Sequence, residues 1–199
     1  LVKEIFTNPT KDLWYSLGDV LPLLAEASPQ VFIKAVEDSL NSEEKNIIGL
    51  FTETDNIITS RSQHHQLLWA LEALAWDSEY FQRSVLALCR LTILDPGGRY
   101  SNRPFNSLHY IFKLWMPQTE ATTETRFKML SKINSEFPEI GWNLSKTLLP
   151  QNQDVGSYTY RYKWRELSKS ADSRINTSEY CNDVCRLIDV IIPMLNLSI

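Results

Sequence analysis

Three times along this chain an amphipathic helical segment stops, breaks briefly, and is followed at once by a second one. Residues 13–27 (LWYSLGDVLPLLAEA) run into Ser28-Pro29 and then QVFIKAVEDSL, and residues 124–136 (ETRFKMLSKINSE) run into Phe137-Pro138 and then EIGWNLSKTLL. Between them, Leu67, Leu68, Leu71, Leu74 and Ala75 keep the i, i+1, i+4, i+7, i+8 spacing of one helix face, and Phe81, Val85, Leu88, Cys89 and Thr92 do the same beyond a break at Asp77. Two helices so closely joined must turn back on each other, which makes each unit a helical hairpin.

The breaks carry matching chemistry. Ser28 is expected to cap the helix that Pro29 opens, because the N–H that proline lacks is unneeded in a first helical turn. Asp77 reads as an N-cap, with Glu79 adding negative charge near the helix start. Asn176 and Glu179 form a capping pair that opens the last helix, which runs to about Pro193. Pro22 should kink or split the first helix. Gly18 and Gly141 fall in helices, where a close approach of two helices tolerates them.

Aligning Pro29, Ser78 and Pro138 superposes Val31, Tyr80 and Ile140, and also Leu40, Cys89 and Leu149, at unequal spacings. Such loose repetition suits residues 1–199 as one all-α helical-repeat domain of stacked hairpins. It is either an irregular α-solenoid of the HEAT/TPR kind or an ordinary helical bundle, with the solenoid preferred. Trp69, Leu71, Leu74, Phe81, Leu88, Trp142 and Leu144 are the predicted core. Strand signals are nearly absent. Three long connections remain, near residues 52–62, 95–105 and 150–175, and loops of that length tend to be functional or mobile.

Composition narrows the function. A 43% hydrophobic, 22% charged chain is globular, and a net charge of −4 argues against a general polyanion binder. Cys89, Cys181 and Cys185 are an odd set with no disulfide framework, and reduced cysteines favour a cytoplasmic setting. LVKEIF is no secretory start, and no apolar run reaches the ~20 residues that span a bilayer, so no membrane is expected. The missing initial Met suggests a piece of a larger multidomain protein.

Two loops are candidate recognition sites. In DPGGRYSNRPFN (95–106), glycine can take the left-handed conformation used at helix C-termini, and Asn106 or Ser107 can cap the next helix. Arg99 and Arg103 beside glycine backbone could hold a phosphate or carboxylate, or simply pair with neighbouring acids. The segment lacks the Gly-Lys-Ser/Thr ending of a phosphate-binding loop. In YTYRYKWRE (158–166), Tyr158, Tyr160, Tyr162 and Trp164 alternate with Arg161, Lys163 and Arg165. This pattern can stack bases and neutralise phosphates, or it can lie extended across helices with aromatics inward and charges in water.

Nothing else rises to chemistry. His64 and His65 precede a helix and His109 sits inside one, without metal-ligand spacing, and they read as exposed or core-edge residues. Cys181 and Cys185 share a helix face, but no further ligand stands near in sequence. No nucleophile elbow is present, and Glu37-Asp38 and Glu43-Glu44 fall on polar faces. No catalytic residues, metal or cofactor are therefore assigned.

The block 67–119 (LLWALEALAWDSEYFQRSVLALCRLTILDPGGRYSNRPFNSLHYIFKLWMPQT), with FPEIGWNLSKTLLP (137–150), resembles a helical-repeat segment of large bacterial STAND-type P-loop NTPases. That resemblance implies a sensor or scaffold segment in phage defence or signalling, and transfers no catalytic residue because the NTPase motifs are missing. The reading is a non-catalytic binding or scaffolding module for a protein partner or another domain of its own chain. The alternative is a nucleic-acid-contacting helical domain using Arg99, Arg103, Arg161, Lys163 and Arg165, with Tyr160 in the same patch.

Overall fold

A computed structural model describes residues 1–52, 63–152, 154–167 and 175–195. Among them, helices α1 (Val2–Ile5), α2 (Lys11–Ser16), α3 (Leu21–Ala27) and α4 (Pro29–Asn41) come first. They are followed by α5 (His64–Trp76), α6 (Phe81–Leu94), α7 (Pro104–Phe112), α8 (Thr123–Glu136), α9 (Pro138–Leu148) and α10 (Thr177–Leu195). Short 3-10 turns at Gly18–Val20 and Asn46–Phe51 complete the set, and no strand occurs among the described residues. Residues 53–62 of the first long connection lie outside the described residues, as do 153 and 168–174 of the third.

The expected hairpins are α3–α4, α5–α6 and α8–α9. They stack in chain order: α3 lies along α5, α4 along α6, α7 bridges α5 and α6 to α9, and α10 closes on α8 and α9. One continuous apolar core runs from Phe6 to Ile191 through these layers. α5 sits at its centre. Its sequence LLWALEALAW is apolar nearly all round, as a helix enclosed by neighbours must be, and Leu67, Leu68, Leu71 and Leu74 are fully buried. Phe81, Leu88 and Leu144 are buried as expected, whereas Trp69 and Trp142 are only half-buried.

The breaks differ in detail from their sequence reading. Of the two outcomes expected at Pro22, the helix is split and not kinked. The chain leaves α2 at Ser16, passes through the 3-10 turn, and restarts with Pro22 in the first turn of α3, where a missing N–H is harmless. Ser28 makes no side-chain cap, so Pro29 alone marks the start of α4. Asp77 receives Glu79 N–H at 2.9 Å and shapes the turn between α5 and α6, while α6 itself begins at Phe81. α7 starts at Pro104, ahead of Asn106 and Ser107, which frees those side chains for other partners. The Asn176–Glu179 capping box is present, each side chain receiving the other's backbone N–H at 2.9 and 3.2 Å.

Residues 113–121 form a loop that is almost wholly buried. Buried backbone needs partners, and this loop finds them at the end of α5. Thr119 Oγ1 donates to Ala75 O at 2.7 Å and Glu120 N–H donates to Trp76 O at 2.9 Å, closing terminal carbonyls of that helix. No helix among the described residues is long and apolar enough to cross a membrane.

Candidate functional site

Residues 154–167 cross the face made by α3 and α5 as a chain without helix or strand, bending at 163–165. Such a segment exposes its N–H donors, and here side chains take the role of partners. Thr159 N–H reaches Gln118 Oε1 at 3.3 Å and Tyr160 N–H reaches Glu72 Oε2 at 2.9 Å. The N–H groups of Lys163, Trp164 and Arg165 converge on the carboxylate of Glu26, those of Lys163 and Arg165 at 2.9 and 2.6 Å. Successive amides around one anion make a nest, with Glu26 itself as the anion.

Side chains reinforce this strap. Trp76 Nε1 donates to Thr159 Oγ1 at 2.8 Å. Tyr160 stacks on Trp69 with centroids 5.5 Å apart and rings 12° from parallel. The Arg161 guanidinium lies 4.3 Å from the centroid of Trp76, near enough for a cation–π contact. At the leading end Lys113, itself buried, pairs with Asp154 at 2.5 Å and donates to Val155 O at 2.6 Å.

The alternation of aromatic and basic residues does not divide cleanly into inside and outside. Tyr162 is buried and Tyr160 half-buried, as the extended reading expects, and burial pushes the Tyr162 phenol above its ordinary pKa. Tyr158 and Trp164, however, are 57% and 73% exposed. Lys163 and Arg165 are exposed on either side of Trp164, while Arg161 is half-buried. Lys163 Nζ lies 4.9 Å from the Trp164 centroid, and Arg165 lies over Tyr162 at 5.6 Å. Trp164 thus stands at the bend fixed by Glu26, an aromatic surface presented to solvent between two cations.

The second loop has different chemistry. Arg103 forms a forked ion pair with Asp95, Nε to Oδ2 at 2.9 Å, and lies over Phe51 at 5.8 Å. Its charge is answered from within the protein. Arg99 is exposed. Gly97 has φ +73°, which explains a glycine there, but it lies beyond the end of α6 at Leu94 and does not cap that helix. His64 contradicts its reading as an exposed or core-edge residue. It is 1% exposed, stacks on Phe51 at 5.1 Å, and its Nε2 lies 2.7 Å from Asn102 O, pinning the loop to the start of α5. Burial holds its pKa below the usual histidine value.

The two loops are linked through rings on α5 and do not meet directly in this chain of contacts. Tyr100 meets His64 at 5.9 Å, His64 meets His65 at 6.2 Å, His65 meets Trp69 at 5.1 Å, and Trp69 carries Tyr160. Among the described residues no group of three or more His, Cys, Asp or Glu is placed to hold a metal ion. Cys181 and Cys185 are exposed on α10, and Cys89 is buried, its thiol pushed up to about 12 by desolvation.

The residues that build this site and escaped sequence reasoning are Glu26, Glu72, Gln118, Trp69 and Trp76. A signal was present: Glu26 and Glu72 are lone acids inside apolar helices, in LPLLAEA and LLWALEALAW. A carboxylate on a face destined for burial must find donors elsewhere in the fold. No family model, curated protein or solved structure matches the chain.

Proposed function

We propose that this chain is a non-catalytic interaction module that engages a protein partner, or another domain of its own polypeptide, through the outer face of the strap. The single observation supporting it is Trp164, 73% exposed, on a backbone held by three amide contacts to one buried carboxylate. Trp, Tyr and Arg dominate the energetics of protein interfaces, and a pre-ordered backbone lowers the entropic cost of docking. Val155 and Tyr158, 79% and 57% exposed, extend the apolar face along the same strap. A sensor segment of the kind implied by the resemblance to STAND-type NTPases is one setting for such a surface, and the gene's flanking sequence tests it by containing or lacking an upstream phosphate-binding loop.

The experiment is photo-crosslinking in the native cell, with p-benzoylphenylalanine placed at position 164, at 158, and at the exposed Lys34 of α4 as a control. The reading expects discrete protein crosslinks, between chains or within the full-length chain, from 164 and 158 that are absent from 34. Equal or empty patterns at all three positions would reject it.

A further inference from the structure

We infer that the α3/α5 face beneath the strap is a receiving groove for a peptide that crosses α5 and turns at Glu26, occupied in cis by residues 158–165 and open to a competing segment of similar chemistry. The fitting partner is a peptide with alternating aromatic and basic side chains that can make that turn. This concerns the inner face of the strap and stands apart from the outer-face reading above.

The groove's features are those that recognise a peptide main chain. Glu26 takes three consecutive N–H groups, and Glu72 takes that of Tyr160. These contacts read backbone, and the three amides on Glu26 require the bound chain to turn there, as residues 163–165 do. Flanking surfaces then read side chains: Trp69 offers a stacking face to Tyr160, and Trp76 offers one to the Arg161 guanidinium. Glu72 is held in place by Ser107 Oγ, which donates to Oε1 at 2.6 Å from α7, so the receptor carboxylate is oriented by helices and not by the strap.

The occupant is more loosely integrated than its receptor. Most of the strap's side chains between Asp154 and Glu166 are exposed, and only Thr159 and Tyr162 are buried. The core below is helical, with Leu67, Leu68, Leu71 and Leu74 fully enclosed. A segment with few buried apolar groups opens at lower free energy than the helices it crosses. When open, it leaves two carboxylates and two tryptophans on one face, ready for main-chain amides, an arginine and an aromatic ring.

The test uses a fluorescein-labelled peptide of residues 156–167, GSYTYRYKWREL. Its targets are the intact chain and a variant whose residues 157–166 are replaced by a Gly/Ser segment of equal length. One-to-one binding to the replaced variant is expected. Affinity for the intact chain should be at least about tenfold weaker, because the cis strap competes. Glu26→Ala in the replaced variant, or a peptide of the same composition with its aromatics contiguous, should bind markedly more weakly. Absence of binding to a variant that unfolds cooperatively and keeps its helical circular dichroism overturns the inference, as does equal binding of the rearranged peptide. Should the replaced variant not fold, hydrogen exchange on the intact chain decides. Amides of Tyr160, Lys163, Trp164 and Arg165 should exchange at least about tenfold faster than those in the middle of α5. Equal protection means that the strap opens only with the whole molecule and is no displaceable ligand.

Discussion

Burying a carboxylate costs several kcal/mol unless donors meet it, and Glu72 meets that condition with one hydroxyl and one backbone amide. Its pKa is nevertheless raised, because desolvation outweighs both hydrogen bonds. In linkage terms the native state takes up this proton before the unfolded state does. Glu72's contribution therefore favours the fold increasingly as pH falls toward the unfolded value and fades as pH rises through the folded one. His64 works in the opposite direction. Its folded pKa is lowered, chiefly by burial, so the unfolded chain binds the proton first, near about pH 6.5. Stability from the neutral ring is complete above that value and is lost as pH falls toward the folded pKa. His109, also lowered by burial, acts in the same sense. Urea unfolding at about pH 7.5 and about pH 5.5 should show a loss of stability on acidification that shrinks, without vanishing, in His64→Gln. An unchanged loss would mean that His64 is not buried and neutral.

At the scale of elements, the α8–α9 hairpin depends on a close approach. A Cβ placed on Gly141 would meet the Asn134 side-chain Oδ1 and would also stand 2.7 Å from its Cα, so alanine meets backbone as well as a side chain that could yield. Helix propensity favours Gly141→Ala by about 1 kcal/mol, while overpacking costs about 1–3 kcal/mol. A net destabilisation of about 1 kcal/mol is expected in chemical denaturation, and a net gain would show that the two helices can part without cost. The hairpins were legible because local rules fix them. Leucine spacing in α5, Pro29 and Pro138 at helix starts, and the Asn176–Glu179 box are all encoded within a turn or two. The strap was legible only as an alternation of aromatic and basic residues. Its course depends on Glu26 and Glu72, which lie far away in sequence, and no local pattern states which backbone they will hold. His64 was misread for a similar reason: a polar residue at a helix start looks exposed until a distant loop, here through Asn102 O, covers it.

At the scale of the whole molecule, charge and its placement decide between the protein-partner reading and its nucleic-acid rival. The chain carries 24 acidic against 20 basic residues, so association with a polyanion must come from a local patch. Five basic residues were candidates, Arg99, Arg103, Arg161, Lys163 and Arg165. Arg103 is neutralised by Asp95, and the Arg161 guanidinium lies on Trp76. Lys163 and Arg165 remain exposed beside Trp164, with Arg99 exposed on the other loop. Each neutralised phosphate contributes close to one unit of salt slope, about 0.9 on duplex DNA and about 0.7 on single strands. Two or three such contacts give an affinity that is modest at low salt and nearly gone at physiological salt. Trp164 can add about 1–3 kcal/mol by stacking on an unpaired base, so single strands should bind somewhat better than duplexes. The decisive experiment titrates short single- and double-stranded oligonucleotides at about 50 and about 150 mM salt, with the intact chain and with Arg161, Lys163 and Arg165 changed together to Ala. The protein-interaction reading expects weak binding without sequence preference, and a log–log salt slope of about three or less. Submicromolar binding at the higher salt that disappears in the triple variant would overturn that reading in favour of a nucleic-acid-contacting domain.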